Sequence, residues 1–248
     1  MDLDTLFPDL RETGETPNRQ CQLVMIRMLR ILDHLTRKHG ILYWLDFGAV
    51  IGALRENGRM LPWDSDIDVG MFQKDYVRFV DKVVPELPPG IFFQSPETDP
   101  DFPLWSPRFP IFKLRDRYST YLTCDVPVPW QDGMQVDIFV YPDPSRCFLC
   151  ARLKNYLILI RKMITRSKRA DCWGHYYALG DVFPLKSVLF EGHTYPVPNR
   201  YDWFLRFYFG DYMVPPDPKE IPKGTFGDPC NAGPHKESRA WQKRSQPQ

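Results

Sequence analysis

Between Pro17 and Gly40 the apolar residues Cys21, Val24, Met25, Met28, Ile31, Leu32 and Leu35 recur at intervals of three and four, with Arg27, Arg30 and Arg37 among the charges off that stripe. The interval predicts an amphipathic helix, and Gly40, following Lys38 and His39, predicts its stop. "ILYWLD" then reads as a buried strand ending at Asp46, and "FGAVIGALREN" as a turn and short helix closed by Gly58. "LPWDSDIDVGMF", from Leu61 to Phe72, alternates with period two and predicts a strand. "KDYVRFVDKVV" predicts a further helix closed by Pro85, and "IFFQ", "RFPIFKLRD" and "YSTYLT" predict short strands between proline-rich loops. In "GMQVDIFVY" Met134, Val136, Ile138 and Val140 point one way and Asp137 the other. "CFLCARLKNYLILIRKMITRS" predicts a long, mostly apolar helix. From Asp217 onward aliphatic residues nearly vanish, which predicts a disordered or partly ordered tail over residues 217–248. Helices and strands are interspersed, so the expected class is α/β (α+β).

Composition adds bounds. A chain of 248 residues, 43% hydrophobic and 15% aromatic, suits one sizeable domain. Its formal net charge of +1 supplies no bulk attraction for nucleic acid, and no nucleic-acid partner is expected. Six cysteines in a chain this long do not make a disulfide scaffold, and reduced cytosolic thiols are the expectation. The opening "MDLDTLFPDLRETGETPNRQ" has no basic-then-apolar leader, and no stretch reaches the ~18–20 apolar residues of a membrane helix. No membrane span and a cytoplasmic location are therefore expected.

The aspartates change the picture. On a strand, Asp64, Asp66 and Asp68 stand side by side on one face, and carboxylates that close repel. A hard divalent cation, Mg2+ or Mn2+, neutralises such a pair through oxygen coordination. Asp137, an acid set in an apolar strand, has the form of a third ligand. The competing reading is a solvated face with Asp137 paired to an arginine; apolar residues opposite the acids, which lock the register, weigh against it. An EF-hand loop is disfavoured because Val69 stands where that loop needs glycine. Before the acids, Gly48 and Gly52 follow a strand, where glycine permits close approach of a phosphate, and Arg55 and Arg59 can supply guanidinium forks. Lys113 and Arg115 alternate onto one face and are candidate phosphate contacts.

"YWLDFGAVIGALRENGRMLPWDSDIDVGM" resembles the LicD/fukutin family in its glycine-bearing segment followed by "PWDSDIDV". The resemblance continues in "VDIFVY", in "DVFPLKSVLFEGHTYPVPNRYDWFLRFYFGDYMVPP" and in "GPHKES", and covers roughly Leu23 to Pro216. It implies a nucleotidyltransferase-like mixed sheet flanked by helices, with a helical C-terminal part. The implied layout is an N-terminal extension over 1–16, the LicD-type domain over 17–216 and the tail. It also implies transfer of a phospho-alcohol, such as phosphocholine or ribitol phosphate, from a CDP-linked donor to a glycan hydroxyl. Carried over by motif, Asp66 and Asp68 look like the metal pair and Asp137 the third carboxylate; because a neutral sugar hydroxyl must lose its proton as it attacks, Asp137 is expected to act mainly as its base, with a smaller share in the metal. Gly48, Gly52 and Arg55 look like the donor-phosphate loop; Arg59 and Lys113 stay candidates read from the residues alone, with a solvated strand edge as the competing reading for Lys113. Replacing Asp137 by Asn is expected to cost little stability, because it relieves like-charge crowding. The Golgi anchor of some members is not carried over. Nucleotidyl transfer from an NTP to a small molecule needs the same metals and is the enzymatic alternative. A catalytically silent binding protein is the other, disfavoured by the intact Asp66, Asp68 and Asp137.

Cys147, Cys150, Cys172 and His175 have metal-ligand spacing, but the first two fall in the apolar helical run, and no structural zinc is expected there.

Overall fold

The computed structural model describes residues 2–103, 109–121, 130–165 and 175–229, without the side chains of 159 and 161–165. The helices are α1 (Leu3–Leu6), α2 (Pro17–His39), α3 (Phe47–Arg55), α4 (Gln73–Lys82), α5 (Phe148–Thr165), α6 (Leu179–Val182) and α7 (Tyr201–Phe209). The strands are β1 (Trp44–Leu45), β2 (Ile67–Phe72), β3 (Ile91–Gln94), β4 (Ile111–Asp116), β5 (Thr120–Tyr121), β6 (Gln135–Tyr141), β7 (Lys186–Phe190), β8 (His193–Val197) and β9 (Gly227–Asp228).

The predicted long helix is α2. Thr16 caps it by accepting the Arg19 N–H at 3.2 Å, Pro17 occupies its first turn, and Gly40 ends it at φ +59°, a left-handed conformation natural to glycine. It packs on a five-stranded mixed sheet of order β1-β2-β6-β4-β3. β2 and β6 run parallel, and the other neighbours are antiparallel. Ile67, Val69, Val136, Ile138 and Leu114 are fully buried. A one-residue slip would exchange them for the acids, so their burial locks the register. The mixed sheet with flanking helices is the α+β architecture expected.

Two strands are shorter than expected. The aspartate strand begins at Ile67, not Leu61, because Pro62 sits in a turn closed by the Asp64 N–H donating to the Leu61 carbonyl at 3.0 Å. β1 covers only Trp44–Leu45, since Asp46 already caps α3. Downstream of Asp217, β9 pairs with β5, and the Pro229 carbonyl accepts from Arg11 at 2.8 Å. "GPHKES" lies outside the described residues.

Candidate active site

Register builds the floor of the site. Asp68 stands directly opposite Asp137 across the parallel β2–β6 pair, and Lys113 stands opposite Asp137 across β6–β4. Asp68, Asp137 and Lys113 thus form one row over three adjacent strands, on the face away from the apolar lock. Asp66 lies just before β2, and Gln135 Nε2 reaches its carboxylate at 3.4 Å. Oxygens of Asp66, Asp68 and Asp137 all fall within 4.8 Å of one another. Asp64, set off by the turn, turns its carboxylate toward Gly48 instead.

The electrostatics follow from this crowding. Burial, with repulsion from Asp137, pushes Asp66 up to about 6. Burial and the neighbouring aspartates hold Asp64 and Asp68 well above the ordinary carboxylate range. A set of close oxygen donors that favours added positive charge fits a hard divalent cation, held by Asp66, Asp68 and Asp137.

Lys113 departs from expectation. Its Nζ lies 2.6 and 2.5 Å from the two oxygens of Asp137, both side chains nearly buried. The lysine read as a phosphate contact is an ion-pair partner of a site carboxylate. It also reverses the expectation for Asp137→Asn, which would leave a buried ammonium without its partner. Arg115 is likewise committed, donating to Gln94 Oε1 and the Gly133 carbonyl, each at 2.8 Å.

α3 starts beside the acids. Asp46 Oδ1 accepts the Phe47 N–H at 3.1 Å and Oδ2 accepts the Tyr141 hydroxyl at 2.7 Å, while burial raises Asp46 to about 7. The Asp46 N–H donates to the Asp68 carbonyl at 3.0 Å, tying the helix start to β2. Phe47 turns the chain at φ +39°. A Cβ on Gly48 would meet Asp64 Oδ2 at 2.4 Å, so this glycine admits the acid against the first turn. A Cβ on Gly52 would meet the Arg59 carbonyl at 2.5 Å, so Gly52 is a packing glycine. Arg55 lines the cleft with its Nη1 on the Tyr212 carbonyl at 2.8 Å and its guanidinium 5.6 Å from the Trp63 ring. Arg59 does not join them; it lies in a separate depression with Arg19, Asn57 and Glu191.

These elements enclose a cleft of about 690 Å³ whose lining includes Gly48, Arg55, Asp64, Asp66, Asp68, Lys113 and Asp137. Its apolar walls include Phe47, Trp63, Phe139, Phe209 and Tyr212. α7 and the residues after it, within the stretch "RYDWFLRFYFGDYMVPP" that shares in the resemblance, add Phe209, Asp211, Tyr212 and Val214 to the cleft, and folding brings them against α3 and β2 from far along the chain. Of the candidate zinc ligands, Cys172 lies outside the described residues and Cys147 and Cys150 are exposed. His175 is buried, held neutral at about 3 by burial, with Nε2 3.0 Å from Asn155 Nδ2.

Residues 40–95 match the family described as LicD/FKTN/FKRP, nucleotidyltransferase domain. Over 63 residues the chain is 44% identical to the lipopolysaccharide cholinephosphotransferase LicD of Haemophilus influenzae, covering 25% of this chain and 23% of that protein. Over 36 residues it is 44% identical to the ribitol 5-phosphate transferase FKRP of Homo sapiens, covering 14% of this chain and 7% of that protein. An uncharacterized protein of Rickettsia typhi matches at 32% over 57 residues, 23% of this chain and 18% of its own length. The chain thus spans less than a quarter of the length of these relatives. The family match holds the glycines and Asp64, Asp66 and Asp68; Lys113 and Asp137 lie beyond it and join the site through the sheet register. Residues 40–95, in agreement with the resemblance of "PWDSDIDVGM", are thus similar to the nucleotidyltransferase domain of the LicD/fukutin family.

Proposed function

We propose that this chain is a metal-dependent transferase that moves a phospho-alcohol group, phosphocholine or ribitol phosphate in type, from a CDP-linked donor to a glycan hydroxyl. The observation that carries the reading is the convergence of Asp66, Asp68 and Asp137 oxygens within 4.8 Å, on the lining of a cleft that α3 enters with its N-terminus. The curated relatives named for cholinephosphotransfer and ribitol 5-phosphate transfer support the substrate class.

In such a transfer the acceptor oxygen bonds to the donor phosphorus that carries the alcohol, the bond from that phosphorus to CMP breaks, and the acceptor proton must leave. Catalysis is mainly positioning and charge neutralisation. Mg2+ or Mn2+ bound by the three aspartates would offset the charge of the pyrophosphate and lower the pKa of a nearby hydroxyl. The first turn of α3, opened by Gly48, offers backbone N–H groups to phosphate oxygens. Arg55 and Trp63 wall one side, and Phe209 and Tyr212 present aromatic surface on which a cytosine or sugar ring can stack. Lys113 engages both oxygens of Asp137, so in the base role the acceptor hydroxyl would have to displace an ammonium contact, which favours the ligand role.

Incubation with CDP-choline, CDP-ribitol, CTP or ATP plus Mg2+ and a glycan panel, read by mass spectrometry of the product, tests the reading. A phospho-alcohol adduct with release of CMP, abolished by EDTA, is expected. A nucleotidyl adduct from CTP or ATP, or full turnover in excess EDTA, would overturn it.

A further inference from the structure

α5 has two faces of opposite character. Ala151 and Asn155 are buried, and Arg152 is drawn inward by Asp181 at 2.6 Å and lies over the Trp203 ring of α7 at 3.8 Å. The opposite side exposes Leu149, Leu153, Tyr156, Leu157 and Ile160 at 76, 62, 63, 56 and 39%. At ~100° per residue these five fall in one stripe roughly 100° wide, the arc an amphipathic helix normally buries. Here the stripe faces outward. The surrounding sequence is one-sided in charge: Ser145 to Ala170 contains Arg146, Arg152, Lys154, Arg161, Lys162, Arg166, Lys168 and Arg169 and no acid, in a chain of net charge +1. Arg146 and Lys154 are exposed near the stripe.

We propose that the outer face of α5 is an interfacial helix that seats the protein on an anionic lipid bilayer. The helix lies in the plane of the surface, with Leu149, Leu153, Tyr156, Leu157 and Ile160 entering the boundary between headgroups and acyl chains. Arg146 and Lys154, the exposed cations described in this segment, meet the lipid phosphates. Charge decides between a membrane and a second copy of this chain as the occupant. Self-association through α5 would juxtapose two cationic, acid-free segments, whereas an anionic surface complements them. No helix among the described residues is long and apolar enough to cross a membrane, so α5 would bind in the interface and not span it. This inference does not depend on the transfer reaction, because its readout is partition and not turnover.

The full chain would be co-sedimented with vesicles of phosphatidylcholine alone and of phosphatidylcholine with roughly 30% phosphatidylserine, at low and high salt. We expect partition onto the anionic vesicles to exceed that onto neutral ones by about tenfold or more, and to weaken with salt. Leu153→Glu with Leu157→Glu should abolish it without changing the melting temperature, and Lys154→Glu should weaken it. Equal partition onto both vesicle types, no partition, or wild-type partition by the double variant would overturn the proposal. A wild-type dimer that the double variant dissociates, with no binding to vesicles, would assign the face to self-association instead.

Discussion

At Asp66 the folded protein holds its proton up to about 6, above the ordinary carboxylate value near 4. Between those values the folded chain binds more protons than the unfolded one, so this residue makes stability fall as pH rises through that window. In EDTA, the wild-type advantage at pH 4.5 over pH 7 should shrink in Asp66→Asn, read as the difference between the two proteins' melting temperatures. Protons and metal compete for the same oxygens, so Mg2+ affinity measured by calorimetry should rise over the same window. Asp66→Asn and Asp68→Asn should each cost turnover by more than the roughly 10–100-fold typical of losing an outer partner of a metal site, with the fold intact. Lys113 gives a sharper test. Removing one member of a buried ion pair strands the other, so Lys113→Met should cost about 3 kcal/mol or more in denaturant unfolding. Lys113→Met with Asp137→Leu should cost much less than the sum of the singles, the signature of direct coupling. Excess Mg2+ should restore much of the rate of Asp137→Asn if Asp137 is a ligand.

The unit formed by β1, α3 and β2 works as an element because two glycines do different jobs. At Gly52 an added methyl meets the Arg59 backbone, which cannot swing aside, so Gly52→Ala should cost about 1–3 kcal/mol by thermal or denaturant unfolding. At Gly48 it meets the Asp64 carboxylate, and that side chain can rotate into the cleft. Gly48→Ala should therefore lose donor affinity out of proportion to stability, measured as a rise in KM with a small change in melting temperature. A melting-temperature loss equal to that of Gly52→Ala would show that both glycines serve packing alone.

Across the whole molecule, Arg11 joins segments far apart in the chain. Its guanidinium donates to Asp116 at 3.0 Å at the end of β4 and to the Pro229 carbonyl at 2.8 Å beyond β9, and both Arg11 and Asp116 are buried. Arg11→Met should leave Asp116 unpaired and destabilise the protein by roughly 3 kcal/mol in denaturant unfolding, with no direct effect on the cleft. A change below 1 kcal/mol would show that water replaces the guanidinium.

Local signals carried far in this chain. The three-and-four spacing from Cys21 to Leu35, Thr16 and Gly40 specify α2 and its limits, and the alternation in "MQVDIFV", broken only at Phe139, specifies β6 with Asp137 on the face opposite Val136 and Ile138. Asp66 and Asp68 were legible as a pair because period-two spacing is a short-range property of the backbone. What lay beyond reach depends on partners distant in sequence. Only the β2–β6–β4 register sets Asp137 opposite both Asp68 and Lys113, turning a presumed phosphate lysine into an ion-pair partner. Arg59 is four residues from Arg55 yet leaves the cleft, because α3 ends at Arg55 and the chain then turns at Asn57 and Gly58 with positive φ. The aromatic residues of "FYFGDYM" are legible as a cluster, but folding decides that they wall this cleft. Spacing along a strand or helix is written in neighbouring residues, whereas the company a side chain keeps is decided when the whole chain closes its core.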